Sequence, residues 1–518
     1  MKEMRLLLAA LFLLFPGISS ALEYPSWESY TNSNSITSIA AGPGAVWFGT
    51  SGGLLKFDLS SERFSPGIIT ASDGLVNNSI TAVCPDGYSL WVATKKGVSF
   101  YDPALDLFRT YFQGESFSSA GADENNIYFD AGGYFRVVDK KTGSVRRESL
   151  SRIAGMLPDA NTDTFTWYGR RASLSALRNT SQFMQLDDNQ EYYSITAAAE
   201  DDRRIWIGTD NAGIKIYDKF THGITDAFAG PRETDITGIT GNSRFIWVTG
   251  GRYLSILDRT AGSWTGRRFN SSLNTVEKVD STLWLGTSSG IIITGLDGEE
   301  LMTVDVTDGL VSRTVTDIKN DGQDIWVGTT AGISRYSKAA MAWESFTVSA
   351  RNNIADDRIV SIHPGRGSVW FATAAFGVLE YKRETRTWKT WTLKDGLSDN
   401  RAKCVLDLGD TLWIGTAKRG ICSLSFASGK WKEYNEMFEL PAAAVNDMME
   451  GETYIWAATS DGAARYDRST GFFRKFTVSD GLLPGSVKKM FPDGDYIWFA
   501  TKQGLSRYYW NNPHRRDY

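Results

Sequence analysis

Short runs of four to six apolar or alternating residues, each stopped by Gly, Asp or Ser, fill the chain from residue 24 onward. Such runs predict half-buried strands joined by tight turns. The stretch around Trp326 shows the grammar: 315–319, 324–329, 332–336 and 343–347 read as four successive strands. A Gly-containing hairpin separates the second from the third. A polar hairpin separates the third from the fourth, and is clearest at 466–472 and 257–264. No long segment carries a 3.6-residue period. A solenoid of helical repeats is therefore excluded, and a β-helix is disfavoured because its repeat is much shorter.

The second strand of each unit carries a repeated signature: Trp, then Gly or Ala, Thr and a Gly turn. It stands at Trp47 (WFGTSGG), Trp91 (WVATKKG), Trp206 (WIGTDNAG), Trp247 (WVTGG) and Trp284 (WLGTSSG). It returns at Trp326 (WVGTTAG), Trp370 (WFATAAFG), Trp413 (WIGTAKRG), Trp456 (WAATSDG) and Trp498 (WFATKQG). Two degenerate copies, at Tyr128 (YFDAGG) and Trp167 (WYGRR), fill the gap. Twelve units of about 41 residues match the period of a four-stranded propeller blade. The expected fold is all-β: a β-propeller of twelve four-stranded blades. One large aromatic per blade fills the space between neighbouring sheets, so strict repetition assigns these Trp to core packing. Five more, Trp27, Trp264, Trp343, Trp388 and Trp431, fall at the start of a fourth strand.

The phase of the repeats suggests how rings close. Residues 27–31 look like a fourth strand with no blade before them, and the chain ends after a third strand, 504–508. On this reading 27–31 completes the blade of Trp247, and 264–269 completes that of Trp498. Each ring is then sewn shut by its own first strand, which hides exposed edges. Two six-bladed propellers in tandem follow, at 24–262 and 263–518. A five-plus-seven split and a single twelve-bladed ring are the rivals.

Composition agrees with a folded β protein: 42% hydrophobic, 13% aromatic, and 50 Gly against 13 Pro among 518 residues. A formal charge of −5 gives no support to nucleic-acid binding. At the N-terminus, Lys2 and Arg5 precede an apolar run of about ten residues and the small residues Ser19, Ser20 and Ala21. This is a signal-peptide pattern over 1–21, and it is too short to cross a ~30 Å hydrocarbon core. It predicts export to the periplasm or the extracellular space, with no stable membrane insertion after cleavage. Cys84, Cys404 and Cys422 are too few for a disulfide scaffold. Cys404 and Cys422 fall two strands apart in one unit, near 10 Å at ~4.8 Å per strand, too far for a disulfide.

Four units carry a further motif before their first strand, centred on Asp73-Gly74-Leu75, Asp308-Gly309-Leu310, Asp395-Gly396-Leu397 and Asp480-Gly481-Leu482. Asp-Gly supplies a positive-φ turn, and the Leu plugs a blade edge. Together with the WxGT-x-x-G core, this resembles the two-component regulator propeller repeat. The resemblance covers residues 24 to 510, strongly after 275 and weakly between 120 and 190. It implies an exported sensor-type domain that detects carbohydrate or another small ligand, usually joined through a membrane helix to a kinase or cyclase. This sequence carries neither after its last repeat. Direct kinase signalling is thus not expected, and a stand-alone binding or scaffold role takes its place.

Candidate chemistry is sparse. Acidic pairs such as Asp187-Asp188, Asp201-Asp202 and Asp356-Asp357 read as solvated turn residues, and His222, His363 and His514 are dispersed. No calcium loop, nucleophile elbow or phosphate loop is present in the sequence. The expectation is a non-catalytic ligand- or protein-binding module without cofactor or metal. The alternative is a polysaccharide-active enzyme, a glycosidase or lyase, built on a double propeller. Turns between second and third strands share one end of a propeller with the Asp-Gly-Leu loops, and binding residues favour such loops. The cations at those tips are Lys95, Lys96, Arg170, Arg171, Arg252, Lys418, Arg419 and Lys502, against Asp130, Asp210 and Asp461. They are the candidate ligand-binding residues. The implied partner is an anionic small molecule or acidic carbohydrate, or else an envelope protein.

Overall fold

A computed structural model describes residues 27–65, 67–149, 166–169, 193–210, 212–347 and 358–511. The predicted leader over 1–21 lies outside them. The described residues form no α-helix; they build eleven antiparallel sheets, ten of four strands and one of five. The unit of Trp326 is typical. Val315–Asn320, Asp324–Thr329, Gly332–Ser337 and Ala342–Phe346 pair in sequence order. The five-stranded sheet belongs to Tyr128. There Thr166–Gly169, all that is described of the Trp167 unit, pairs with the first strand, Ser119–Ala122. A twelfth separate sheet is therefore not seen among the described residues.

All ten repeated Trp are buried, none more than 7% exposed. Each sits in an apolar cluster drawn from neighbouring sheets, as the packing reading requires. The Thr of most signatures folds back on the turn that follows. Thr329 Oγ1 donates to Gly332 O at 2.9 Å, and Thr94, Thr459 and Thr501 repeat the bond. The four Asp-Gly-Leu loops also behave as read. Their glycines take φ between 107° and 129°, and their leucines are at most 4% exposed. Cys84, Cys404 and Cys422 are free and buried.

The terminal strands depart from the expected closure. Trp27–Tyr30 pairs with Gly504–Tyr509 of the Trp498 sheet, with Trp27 opposite Tyr508. Ser263–Arg268 stays in its own unit, pairing with Tyr253–Asp258 of the Trp247 sheet. Locality explains the second pairing. A short hairpin needs little loop-closure entropy, whereas reaching the Trp498 sheet would close a loop of more than two hundred residues. The hairpin is also built for the job: the Asp258 carboxylate accepts from Thr260 N and Ala261 N, and Gly262 takes φ 66°. The unit that lacks a fourth strand of its own is the last one, and the N-terminus supplies it.

The order of neighbouring sheets follows from their first strands. Ile236–Gly241, Leu273–Val279, Val315–Asn320, Ile359–Pro364, Ala402–Asp407, Val445–Glu450 and Val487–Asp493 lie side by side in that order, and the last lies beside the first. One apolar cluster holds Ile236, Val248 and Trp264 against Trp498, Ala500 and Tyr30. Arg259–Asp493 (2.9 Å) and Lys488–Asp235 (2.6 Å) cross the same seam. The first strands at Ile36–Gly42, Ile80–Asp86, Ser119–Ala122 and Ile195–Glu200 form a second group, with Ile195–Glu200 beside Ile36–Gly42. One hydrogen-bond rule recurs in both groups. The second residue of a first strand donates to the first carbonyl of the next sheet, as in Thr237 to Leu273 O, Asn274 to Val315 O and Thr37 to Ile80 O. Thr196 makes the same bond to Ile36 O, 160 positions away in sequence. The Trp206 sheet is thereby set beside the Trp47 sheet.

Candidate functional site

Two concavities gather polar side chains. The first is lined by residues from all seven first strands of the larger group, with a volume of about 460 Å³. Its charged lining comprises Asp317, Lys319, Asp407, Asp447, Glu450 and Lys489, with His363 and, at the mouth, Arg366. Gly365 and Arg366 belong to the hairpin between first and second strands. The mouth thus lies at the opposite end from the turns between second and third strands.

Strand pleating explains the lining. Successive side chains alternate faces, so Ile318 enters the core cluster while Asp317 and Lys319 face the cavity. Most of these charges already have partners. Asp317 is 1% exposed and accepts from Ile362 N (2.9 Å) and Ile318 N (3.1 Å). Lys319 pairs with Glu277 at 3.3 Å, and the Glu277 charge holds the ammonium above its ordinary range. Asp407 accepts from Trp370 Nε1 (2.9 Å) and Gly409 N (2.8 Å), and Glu450 from Arg468 (2.7 Å). Asp447 is pushed upward by burial, although Lys489 and a bond from Met490 N at 2.9 Å oppose the shift. Burial likewise lowers His363 and keeps it neutral near pH 7. For Lys489, burial opposes the charge, but Asp317 and Asp447 outweigh it and the group is raised.

The second concavity is a cleft of about 830 Å³ between the Trp206 sheet of one group and the Trp247 sheet of the other. Cations converge there from three elements. Lys215 comes from Ile214–Asp218, Arg232 from the connection between the groups, and Arg267 and Arg268 from Ser263–Arg268. Lys215 is ion-paired to Asp226, and Arg267 to Glu299. The Arg232 guanidinium lies 4.6 Å from the Phe228 ring and 5.1 Å from Tyr253, and the residue is 8% exposed. Gly266 makes room for it, because a Cβ there would stand 2.5 Å from Arg232 Cγ. Asn32 Nδ2 donates to Arg232 O at 2.8 Å, tying the outgoing connection to the returning one.

The cations read from the turn tips are elsewhere. Lys95, Lys96, Arg252, Lys418, Arg419 and Lys502 are exposed on turns between second and third strands, and none lines the channel or the cleft. Lys95 and Lys96 sit on one group, the other four on the second. Arg170 and Arg171 lie outside the described residues. The sequence signal for the channel was a charge at the third position of a first strand, at Asp317, Asp447 and Lys489, where other copies place Gly, Ala, Ser, Thr or Cys. For the cleft there was none, because its residues meet only through the contact between groups.

No protein-family model matches the chain, and no curated protein matches it. Solved structures do. PorZ of Porphyromonas gingivalis, an essential bacterial surface component of the type-IX secretion system, is 12% identical with a TM-score of 0.55. The match covers 93% of this chain and 87% of that one. The extracellular domain of a hybrid two-component system from B. thetaiotaomicron is 16% identical with a TM-score of 0.48, over 96% of this chain and 76% of that one. A second such domain from the same organism is 17% identical with a TM-score of 0.48, over 93% and 71%. The PorZ likeness is one of fold, and it covers most of both chains. Among the described residues, no helix is long and apolar enough to cross a membrane.

Proposed function

We propose that this chain is an exported, non-catalytic binding module made of two β-propellers, akin to the two-component regulator propeller repeat. A seven-bladed ring runs over 236–509 and is closed by Trp27–Tyr30. A smaller ring over 36–227 is inserted between that closing strand and the first blade. The cyclic order of the seven first strands supports this partition over the six-plus-six arrangement. The observation that carries the binding role is the cleft where the two bodies meet. There Lys215, Arg232, Arg267 and Arg268 line one cleft, set against Asp226, Asp258 and Asp297. A cleft with several cations suits an anionic small molecule or an acidic carbohydrate, whose carboxylates meet guanidinium groups. The cations at the turn tips serve at most as a second surface for the same ligands. An envelope protein is the other partner class, in keeping with the surface setting of PorZ.

The test is titration of the exported chain with acidic oligosaccharides at low and high salt. Binding should weaken with salt and fall at least tenfold in Arg232→Gln, while Lys418→Ala/Arg419→Ala stays near the parent. Binding unaffected by Arg232→Gln but lost in the tip variant would move the site to the turns. Release of reducing ends from any polysaccharide by the parent, abolished by a single Asp→Asn change, would make the protein an enzyme instead.

A further inference from the structure

The channel holds two charges that the fold leaves unmatched. Asp317, Lys319, Asp407 and Glu450 are each bonded within their own surroundings, as described above. Among the described residues, Lys489 Nζ has neither a hydrogen bond nor an ion pair, and Asp447 uses one oxygen, Oδ2, on Met490 N. The two residues hold the same third position on adjacent first strands, Val445–Glu450 and Val487–Asp493, and both line the cavity. Lys489 senses Asp317 first and Asp447 next, and Asp447 senses Lys489, yet no ion pair joins Lys489 to either carboxylate. Both are half-buried and open to the cavity, so their pairing is left to whatever the cavity holds. Beside them the wall is apolar, made of Leu406, Met449, Met490 and Pro492.

We propose that this channel binds a small zwitterion with a short apolar side chain, of the size and chemistry of a neutral α-amino acid. The carboxylate of the ligand meets Lys489 Nζ, its ammonium meets the free oxygen of Asp447, and its side chain rests on Leu406 and Met449. Three features select this class. The unmatched charges are one of each sign, so a ligand bearing a single charge meets only one of them and leaves the other without a partner. The cavity lies within the ~300–1,000 Å³ range of small-molecule sites. Methionines adapt to side chains of varied shape, so the apolar wall tolerates several. The inference rests on the reading of the chain as a binding module, but it uses a site separate from the cleft between the two propellers.

The experiment is calorimetric titration of the exported chain with leucine, valine and alanine. Isoamylamine and 4-methylvalerate serve as single-charge controls. Leucine should bind and raise the melting temperature, and each control should bind at least tenfold more weakly. Lys489→Met and Asp447→Asn should each weaken leucine at least tenfold and leave acidic-oligosaccharide binding at the cleft intact. Methyl NMR of the unaltered protein gives a reading that needs no variant: the Met449 and Met490 signals should shift with leucine and not with the controls. Absence of any leucine-dependent shift or stabilisation in folded protein would overturn the proposal. So would binding that survives both substitutions. Absence of acidic-oligosaccharide binding alone would overturn the assignment of the cleft and leave the channel standing.

Discussion

The indole N–H of a repeated Trp must find an acceptor when the ring is buried, and in five units an Asp-x-x-x-x-aromatic spacing supplies it. Trp91, Trp206, Trp326 and Trp498 donate to Asp86, Asp201, Asp321 and Asp493, and the degenerate unit keeps the device, with Tyr128 Oη donating to Asp123. This rule was legible in the sequence once the units were aligned, and it identifies Tyr128 as a true member of the series. Asp321 also accepts from Arg383 at 2.6 Å. Asp321→Ala should cost about 2–3 kcal/mol in equilibrium unfolding by urea, because it strands a buried N–H and a guanidinium together. Trp326→Phe with Asp321→Ala should cost less than the sum of the two. Gly396 takes φ 107°, and a Cβ there would lie 2.4 Å from Trp431, so Gly396→Ala should cost roughly 1–3 kcal/mol. The raised carboxyl of Asp447 has a sign that can be checked. A carboxyl that is easier to protonate when folded stabilises at low pH, and that contribution is lost as pH rises through its folded-state value. Asp447→Asn, among Asp317, Lys319 and Lys489, should therefore gain on the parent in melting temperature as pH rises from 4 to 7.

At the scale of the element, the N-terminal strand decides the architecture. Trp27 stacks on Tyr508 at 4.4 Å, and Glu28 pairs with Arg507 at 2.7 Å. The sequence contained the clue to its place. Each Asp-Gly-Leu glycine is covered by the fourth-strand aromatic of the blade that follows it: Phe108 on Gly74, Trp343 on Gly309, Trp431 on Gly396. Gly481 has no such aromatic downstream, and Trp27 covers it. The phase of the repeats alone does not show this, because every blade presents the same third strand to a docking fourth; the pairing is specified by the glycine seat. Trp27→Ala should destabilise the chain by roughly 2–4 kcal/mol, less than a fully buried Trp because its edge is part-exposed. Deletion of residues 22–31 should speed hydrogen exchange across Gly504–Tyr509 far more than across Asp324–Thr329, as mass spectrometry of the deuterated peptides will show.

Across the whole molecule, the strands, turns and buried aromatics were legible because they are written once per unit, while the channel and the cleft were not. Asp317, Asp447 and Lys489 lie in different repeats and line one cavity only because the seven first strands lie side by side, the last beside the first. The cleft depends on a contact between bodies that no local pattern encodes. The turn-tip cations were legible because each lies within the signature turn of a single unit. The central claim is that the N-terminal strand closes the seven-sheet succession. It is tested most directly by covalent trapping. Ser29 and Ser506 face each other in register, and both are buried. Oxidised Ser29→Cys/Ser506→Cys protein should form an intramolecular disulfide that changes its mobility on non-reducing gels. Ser29→Cys/Ser255→Cys, which would report docking on the Trp247 sheet, should not. Cross-linking of the second pair in place of the first would contradict the account.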